Sequence, residues 1–565
     1  MSSTAPWLAH YDEGVPSTLA PYPTRTLLDY VSESARDRPS RPALLFKGAI
    51  VSYAALDRLS DAFASALLSL GVVRGDRVAL LLANCPQFFI AELAAWKIGA
   101  IVAPLNPIYA EPELERPLRE HGIETILTLS RFYGRVKRVQ PRTPLRRVIS
   151  TNIKEYFPPL LRLLFTIVRE TRDGDRISLA PGDHDFAQLL RTHDGRSVPR
   201  SPNAADDPAV LLMSGGTTGT PKGVVGTHGG YLKAGLQLHA WLEPVLRQGD
   251  VILLPLPMFH VYANVGVQAL GLVAGCPLAL VPNPRDLPDL LATISKVKPA
   301  FFNGVPTLYV ALLGHPDVQS GKVDFKSIKL CFSGAAPLMA ETKQRFEALT
   351  GGRIVEGYSL TEAMMAACVN PVKGANKIGS VGMPLPDVLV RITDPDEGTQ
   401  ELASGTVGEV CISAPELMTG FWNNPEETAA VLRDHPDGNG TRRWLHTGDL
   451  GYLDADGYLF IVDRIKDLIK TSGYQVWPRE VEETLSLHPA IAECGVAGLP
   501  DPVKGEAVKA WVVLRSGQQA NESEIRAFCR EHLAPYKVPS TVEFRTDLPK
   551  SLVGKVLRRV LKEGG

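Results

Sequence analysis

Three observations predict an α/β fold built on parallel sheets with helices on both faces. Short apolar runs alternate with amphipathic helical stretches, the composition is that of a soluble globular protein, and the chain is too long for one core. Its 565 residues are 45% hydrophobic and 21% charged, which predicts two to four domains or subdomains. Lys plus Arg number 60 and Asp plus Glu 61, a net charge of −1, so no global field favours nucleic acid as a partner. The seven cysteines (Cys85, Cys276, Cys331, Cys368, Cys411, Cys494, Cys529) are scattered and show no CxxC spacing. They read as reduced, mostly buried thiols of a cytoplasmic chain, neither a zinc site nor a disulfide framework. The opening MSSTAPWLAHYDEGVP lacks the basic start and apolar core of a secretory signal, which agrees with that location.

The elements follow in order. VSYAALDRLSDAFASALLSLG predicts a short strand and then a helix, with Leu56, Leu59, Phe63, Leu67 and Leu70 three or four residues apart and Gly71 as its stop. RVALLL at 77–82 reads as a buried strand, FFIAELAAWKIG as an apolar helix, IVAPL at 101–105 as a strand, ELERPLREHG as an acidic helix and ETILTL as a strand. The basic run RFYGRVKRVQPRTPLRR has few stacking aromatics and reads as a solvated surface. Residues 251–282 carry no formal charge, but Pro255, Pro257, His260, Asn264, Gln268 and Pro277 interrupt them. Strand, loop, helix and strand inside a core is the expectation there, not a membrane span.

LLMSGGTTGTPKGVVGTH at 211–228 sets glycines, hydroxyls and one lysine between two apolar runs. Gly215, Gly216 and Gly219 let backbone N–H groups approach an anion, Ser214, Thr217, Thr218 and Thr220 add hydroxyl donors, and Lys222 adds a charge. This is the chemistry of a phosphate cradle. It is not a Walker loop, because Lys222 lies between Pro221 and Gly223.

The same stretch resembles the signature loop of the adenylate-forming enzymes, the superfamily of acyl-CoA synthetases, peptide-synthetase adenylation domains and beetle luciferases. PMFHVYA (257–263), SGAAPL (333–338), EGYSLTE (356–362), GEV (408–410), HTGDL (446–450), DRIKDLIKTSGYQVWPREVE (463–482) and PKSLVGKVLRR (549–559) agree with it in order. The resemblance spans roughly residues 25–560. It implies a large N-terminal domain of layered βα subdomains (1–463), a hinge (464–467) and a small mobile α+β C-terminal domain (468–565).

The implied reaction joins a carboxylate to the α-phosphate of ATP, expels pyrophosphate, and passes the acyl group to the thiol of coenzyme A. Positioning and charge neutralisation carry the first step. By resemblance, Ser214 to Lys222 hold the β- and γ-phosphates, and Thr217 and Glu362 bind Mg²⁺, a cation that prefers oxygen ligands. Tyr358 stacks on adenine with Gly334, Ala335 and Ala336 along its other side, and Glu356, Gly357, Ser359 and Thr361 complete that motif. Asp449 takes the ribose hydroxyls, Arg464 the ribose or α-phosphate, and Lys555 neutralises the pentavalent α-phosphate. His260 lies beside the acyl carboxylate, Lys466 is the hinge, Gly473 flanks the pantetheine arm and Lys470 assists the thioester step.

Gly215 stands where many relatives have Ser, and Ser359 where many have Gly. The GG pair and the insert at 151–190 resemble long-chain fatty acyl-CoA synthetases, as bacterial ones have them. After Pro159, Arg162, Thr166 and Arg169 form one stripe of a helix that is otherwise apolar, a pattern open to a membrane surface (157–170), to packing on the protein and to a homodimer interface. Asn264 replaces an aromatic gate of some long-chain relatives. A medium- to long-chain fatty acid, with ATP and CoA, is the expected substrate set. The alternatives are an aryl or other carboxylate–CoA ligase, an acyl-AMP ligase that loads a carrier protein, and a regulatory protein that has lost catalysis, against which Glu362, Asp449, Arg464 and Lys555 together speak.

Overall fold

The computed structural model describes residues 5–214, 221–395, 398–437, 440–472, 474–550 and 556–563. Among the described residues there are four sheets. In the eight-stranded sheet the expected strands Arg77–Leu81, Ile101–Pro104 and Thr125–Leu129 run parallel, with Ala79 opposite Ala103 on one side and Ile126 on the other. Their period of two sorts the side chains. Val78, Leu80 and Leu127 face the main core, while Ala79, Leu81 and Ile126 face a second cluster under the helices Glu111–Glu120 and Ser130–Val139.

Tyr53–Ser69 is the expected helix; the Ser52 hydroxyl caps its start by accepting from Ala55 N–H, and Gly71 follows its end at φ 79°. The basic run turns out to be less free than its composition implies. Its Arg138 pairs with Glu111 at 2.6 Å, Arg142 with Glu115 at 2.7 Å and Lys137 with Asp183 at 2.8 Å, so acidic neighbours from other elements neutralise it.

The nine-stranded sheet runs parallel from Arg353–Leu360 through Leu330–Ser333, Phe301–Gly304, Ile252–Leu254 and Leu278–Leu280 to Pro42–Phe46. Antiparallel strands close both edges. The uncharged stretch 251–282 forms strand, loop, helix and strand, the helical part beginning as a π-helix at Tyr262–Val267. Among the described residues no helix is long and apolar enough to cross a membrane. A five-stranded antiparallel sheet includes Gly408–Ser413, Gly440–Leu453 and Leu459–Arg464. After Arg464 the last sheet gathers its own cluster of Ile469, Val481, Ile491, Val508 and Ile525, separate from the main core. All seven cysteines are free, and only Cys494 is not fully buried.

The helix Pro86–Lys97 is buried on every side. The Lys97 ammonium, with a side chain 0% exposed, is held 2.7 Å from both Asp57 and Asp61. Removing the partners of a buried charge costs more than removing the charge itself. The double change Asp57→Asn and Asp61→Asn should therefore lower unfolding free energy by about 3–5 kcal/mol. Lys97→Met, which keeps the volume and leaves two carboxylates within reach of water, should cost less; urea midpoints of the two proteins compare them.

Candidate active site

The parallel strands Leu330–Ser333 and Arg353–Leu360 end side by side, with Ser333 opposite Glu356. Ligands of open α/β sheets bind beyond such carboxyl ends. The loop that leaves the first strand is tied to the second, because Glu356 accepts a hydrogen bond from Leu338 N–H at 3.2 Å. Gly334 lies so close to Tyr262 that a Cβ would stand 3.2 Å from its ring, and a Cβ on Gly357 would stand 2.6 Å from the Phe332 ring. Ala335 adopts φ 70°, and Met364 and Met365, just past Thr361 and Glu362, adopt φ 53° and 137°. Three non-glycine residues in that region around one set of strand ends make these loops a candidate ligand site. Ser359 pairs with Ala366 after a register shift at Tyr358.

A second sheet supplies the facing wall. Asp449 lies directly opposite Arg464 in its strand pair, and their side chains form an ion pair at 2.8 Å. The Tyr358 hydroxyl donates to the other Asp449 oxygen at 2.5 Å. Burial and the Asp449 charge push the Tyr358 pKa up, and Asp449 raises that of Arg464. Burial also raises the Glu362 carboxyl, opposed by the Arg464 and Lys222 charges. Lys466, in the turn Ile465–Asp467, is pushed down by burial and then by Arg464. Tyr358, Glu362, Lys222, Asp449, Arg464 and Lys466 thus share one electrostatic neighbourhood.

Two residues that were not singled out hold this wall. Glu409 accepts from Gly448 N–H at 3.0 Å and meets His446 Nδ1 at 2.9 Å, fixing the turn before Asp449. Both lie in motifs visible in the sequence, GEV and HTGDL. Ligand atoms of Glu409, Cys411 and His446 come within 4.8 Å of one another. His446 Nδ1 already meets both neighbours, and its Nε2 lies 3.0 Å from His435 Nε2, so these atoms are engaged in orienting the turn.

The cradle joins two antiparallel strands, Pro208–Ser214 and Lys222–Thr227, whose last pair is Ser214 with Lys222. Gly215, Gly216, Thr217, Thr218 and Gly219 lie outside the described residues, as do Gly473 and Lys555. Lys222 pairs with Glu427 at 2.6 Å, a partner the sequence reading missed although NNPEET announces a capped helix start there. His260 is brought to the start of the π-helix, where its Nδ1 accepts from Tyr262 N–H at 3.3 Å, and burial lowers its pKa to about 4. Lys470 stands exposed on the strand Ile469–Thr471, its N–H donating to Glu506 at 2.7 Å, and no described contact joins it to the Asp449 cluster. Arg558, also missed, reaches Asp463 at 2.9 Å, Asp467 at 3.1 Å and Glu482 at 2.7 Å, fastening the C-terminal helix Arg558–Glu563 to the segment around Lys466.

The AMP-binding enzyme family model matches residues 31–422, and that of the AMP-binding enzyme C-terminal domain matches 480–555. A long-chain-fatty-acid–CoA ligase of Bacillus subtilis (strain 168) is 40% identical over 568 residues, covering 100% of this chain and 98% of that protein. A 4-coumarate–CoA ligase 2 of Oryza sativa subsp. japonica is 35% identical over 545 residues, 95% of this chain and 92% of the relative. The crystal structure of ATP-bound MatB from Rhodopseudomonas palustris superposes with a TM-score of 0.81 at 28% identity, covering 96% of this chain and 99% of MatB. Matched along most of its length by that family model and end to end by such a ligase, this chain belongs to the AMP-binding enzyme family.

Proposed function

We propose that the protein is an AMP-forming fatty acid–CoA ligase acting on medium- to long-chain acids. The fatty carboxylate attacks the α-phosphate of ATP and displaces pyrophosphate; the CoA thiol then attacks the acyl-adenylate carbonyl, forming the thioester and releasing AMP. The observation that carries the acyl class is the apolar character of the stretches PMFHVYANVGVQAL (257–270) and FFNGVPTLYVALL (301–313), which carry no charged residue and meet at a water-sized gap that would have to widen to admit a tail. Tyr262, Gly266, Val267, Leu270, Phe301 and Phe332 are among the residues that line the gap, and none of its lining residues is charged. Nothing there could pair with a second carboxylate or an amino group. Full-length similarity to the Bacillus ligase supports the same class.

Residue roles follow from chemistry and position. Ser214 to Lys222 would hold the β- and γ-phosphates, with Lys222 exchanging Glu427 for phosphate oxygens. Glu362, whose carboxylate is hydrogen-bonded by no other described side chain, offers a hard oxygen donor that fits Mg²⁺, with Thr217 as its companion. Bound there, the ion would neutralise phosphate charge. Tyr358 would present its ring to adenine, and Asp449 with Arg464 would bind the ribose. His260 is neutral, and its Nδ1 is occupied by Tyr262 N–H, so the proton sits on Nε2, which can donate to the acyl carboxylate. Lys466 would be the hinge between 1–463 and 468–565, carrying Lys555 to the α-phosphate for adenylation and Gly473 to the pantetheine arm for thioester formation.

The helix Pro159–Val168 supports contact with a membrane, the phase in which fatty acids partition. Its Phe165 is buried, while Leu160 is 70% and Ile167 72% exposed, and Leu161, Leu163, Leu164 and Val168 are exposed beside them. Of the three readings of this helix, packing on its own chain does not hold for that face. Exposed Arg162 and Arg169 suit anionic headgroups.

Three measurements test these readings. Specificity, as kcat/KM for thioester formation, should rise up to about fourfold per added CH₂, each contributing up to about 0.8 kcal/mol, until the space the tail can open is filled. A maximum at acetate, or preference for 4-coumarate or benzoate, would overturn the fatty acid reading. Lys555→Ala should slow adenylate formation by about 100- to 1000-fold yet leave thioester formation from supplied acyl-adenylate and CoA near normal. Equal loss of both half-reactions would remove Lys555 from its role. Leu163→Ser with Ile167→Ser should weaken flotation with phosphatidylglycerol-containing vesicles by about tenfold or more, since burying each apolar side chain contributes about 1.5–3 kcal/mol. Unchanged flotation, or loss of a dimer in sedimentation instead, would refute the membrane contact.

A further inference from the structure

A buried carboxylic acid lies behind the helix that lines this apolar gap. Glu92 is 0% exposed in the helix Pro86–Lys97, and no lysine or arginine is among the groups that perturb it. One of its oxygens accepts from Asn264 Nδ2 at 2.9 Å, and the other from Gln268 Nε2. The Tyr231 hydroxyl donates to the Asn264 carbonyl. Asn264 and Gln268 are themselves 0% exposed. Packing alone calls for an apolar residue in a helix buried on all sides, and a carboxyl without a cation is costly there unless its hydrogen bonds are essential to the arrangement.

What those bonds hold is an irregular turn. The π-helix Tyr262–Val267 inserts an extra residue, and Gln268 N–H still donates to Ala263 O, five positions back. Such turns are rare and gather at functional sites. Its two faces have different tasks. Asn264 and Gln268 point back to Glu92, while Tyr262, Gly266, Val267 and Leu270 line the gap. Reverting to an α-helical register would rotate the residues beyond the turn by about 100° and change which of them face the acyl tail.

We propose that Glu92 is a positioning residue for acyl selectivity, holding the π-turn through Asn264 and Gln268 and thereby setting which side chains an entering acyl tail meets where the apolar gap widens. The proposal rests on the acyl-CoA ligase reading above. Glu92→Gln can preserve the arrangement. Its amide oxygen still accepts from Asn264, and its NH₂ can donate to the Gln268 Oε1, which has no partner at present, once the Gln268 amide turns over. Glu92→Leu leaves both amides without an acceptor, and Gln268→Leu removes one arm only.

The test compares kcat/KM for octanoate, dodecanoate and hexadecanoate in the four full-length proteins, with KM for ATP as the control. The expected result for Glu92→Leu is a change of fivefold or more in the hexadecanoate-to-octanoate ratio with KM for ATP within twofold. Gln268→Leu should shift the ratio in the same direction by less, and Glu92→Gln should keep it as in the wild type. An equal loss for all three acids, or a Glu92→Gln shift as large as that of Glu92→Leu, would overturn the proposal. Should Glu92→Leu not fold, the Gln268→Leu ratio decides by the same signs. A wild-type preference for aryl acids would count against the fatty acid reading alone, and the 4-coumarate-to-benzoate ratio would then be judged by the same fivefold criterion.

Discussion

The carboxylate of Asp449 receives Tyr358 from the end of the nine-stranded sheet and Arg464 from the strand that leads into the C-terminal part. Two sheets and the turn at Lys466 are thereby brought together at one pair of oxygens. That carboxylate is in turn oriented by the Glu409–His446 contact one turn earlier, so the wall is built from successive hydrogen bonds and not from packing alone. A buried anion of this kind needs a cation, and Arg464 provides it, with Lys466 close enough to be felt electrostatically.

Much of the layout was legible because it depends on period. Strands at 77–82, 101–105 and 125–129 alternate with helices, and their side chains divide between two clusters as a period of two requires. The uncharged stretch 251–282 was readable as an interrupted core segment for the same reason. Sheet order was not legible, since strand Pro42–Phe46 pairs with Leu278–Leu280 more than two hundred residues later, and nothing local in either strand encodes that partner. The π-turn was equally hidden, because it is fixed by Glu92 from a helix that, read locally, is simply apolar.

The candidate site residues divide similarly. Tyr358, Glu362, Asp449 and Arg464 were singled out through ordered motifs, and the fold brings the segment of Tyr358 and Glu362 up to the strand pair of Asp449 and Arg464, some ninety residues later. Glu427 and Arg558 escaped because each acts through a long-range ion pair with a residue that only the fold brings near. Arg558 serves three carboxylates at once, Asp463, Asp467 and Glu482, an arrangement no pairwise charge pattern along the chain would suggest.

The burial of six of the seven thiols, with Cys494 only partly exposed, bears on chemical self-compatibility. An acyl-adenylate is an acylating reagent, and any accessible thiolate on the protein would compete with CoA for it. Burial pushes Cys276, Cys411 and Cys529 up to about 11 and Cys85 up to about 12, and it raises Cys331, Cys368 and Cys494 as well. At neutral pH every cysteine of the chain is therefore protonated and a poor nucleophile, and all but Cys494 are fully sheltered. The chain can generate an electrophile beside its own core without becoming its acceptor, and the thiol delivered by the co-substrate meets no rival from the protein.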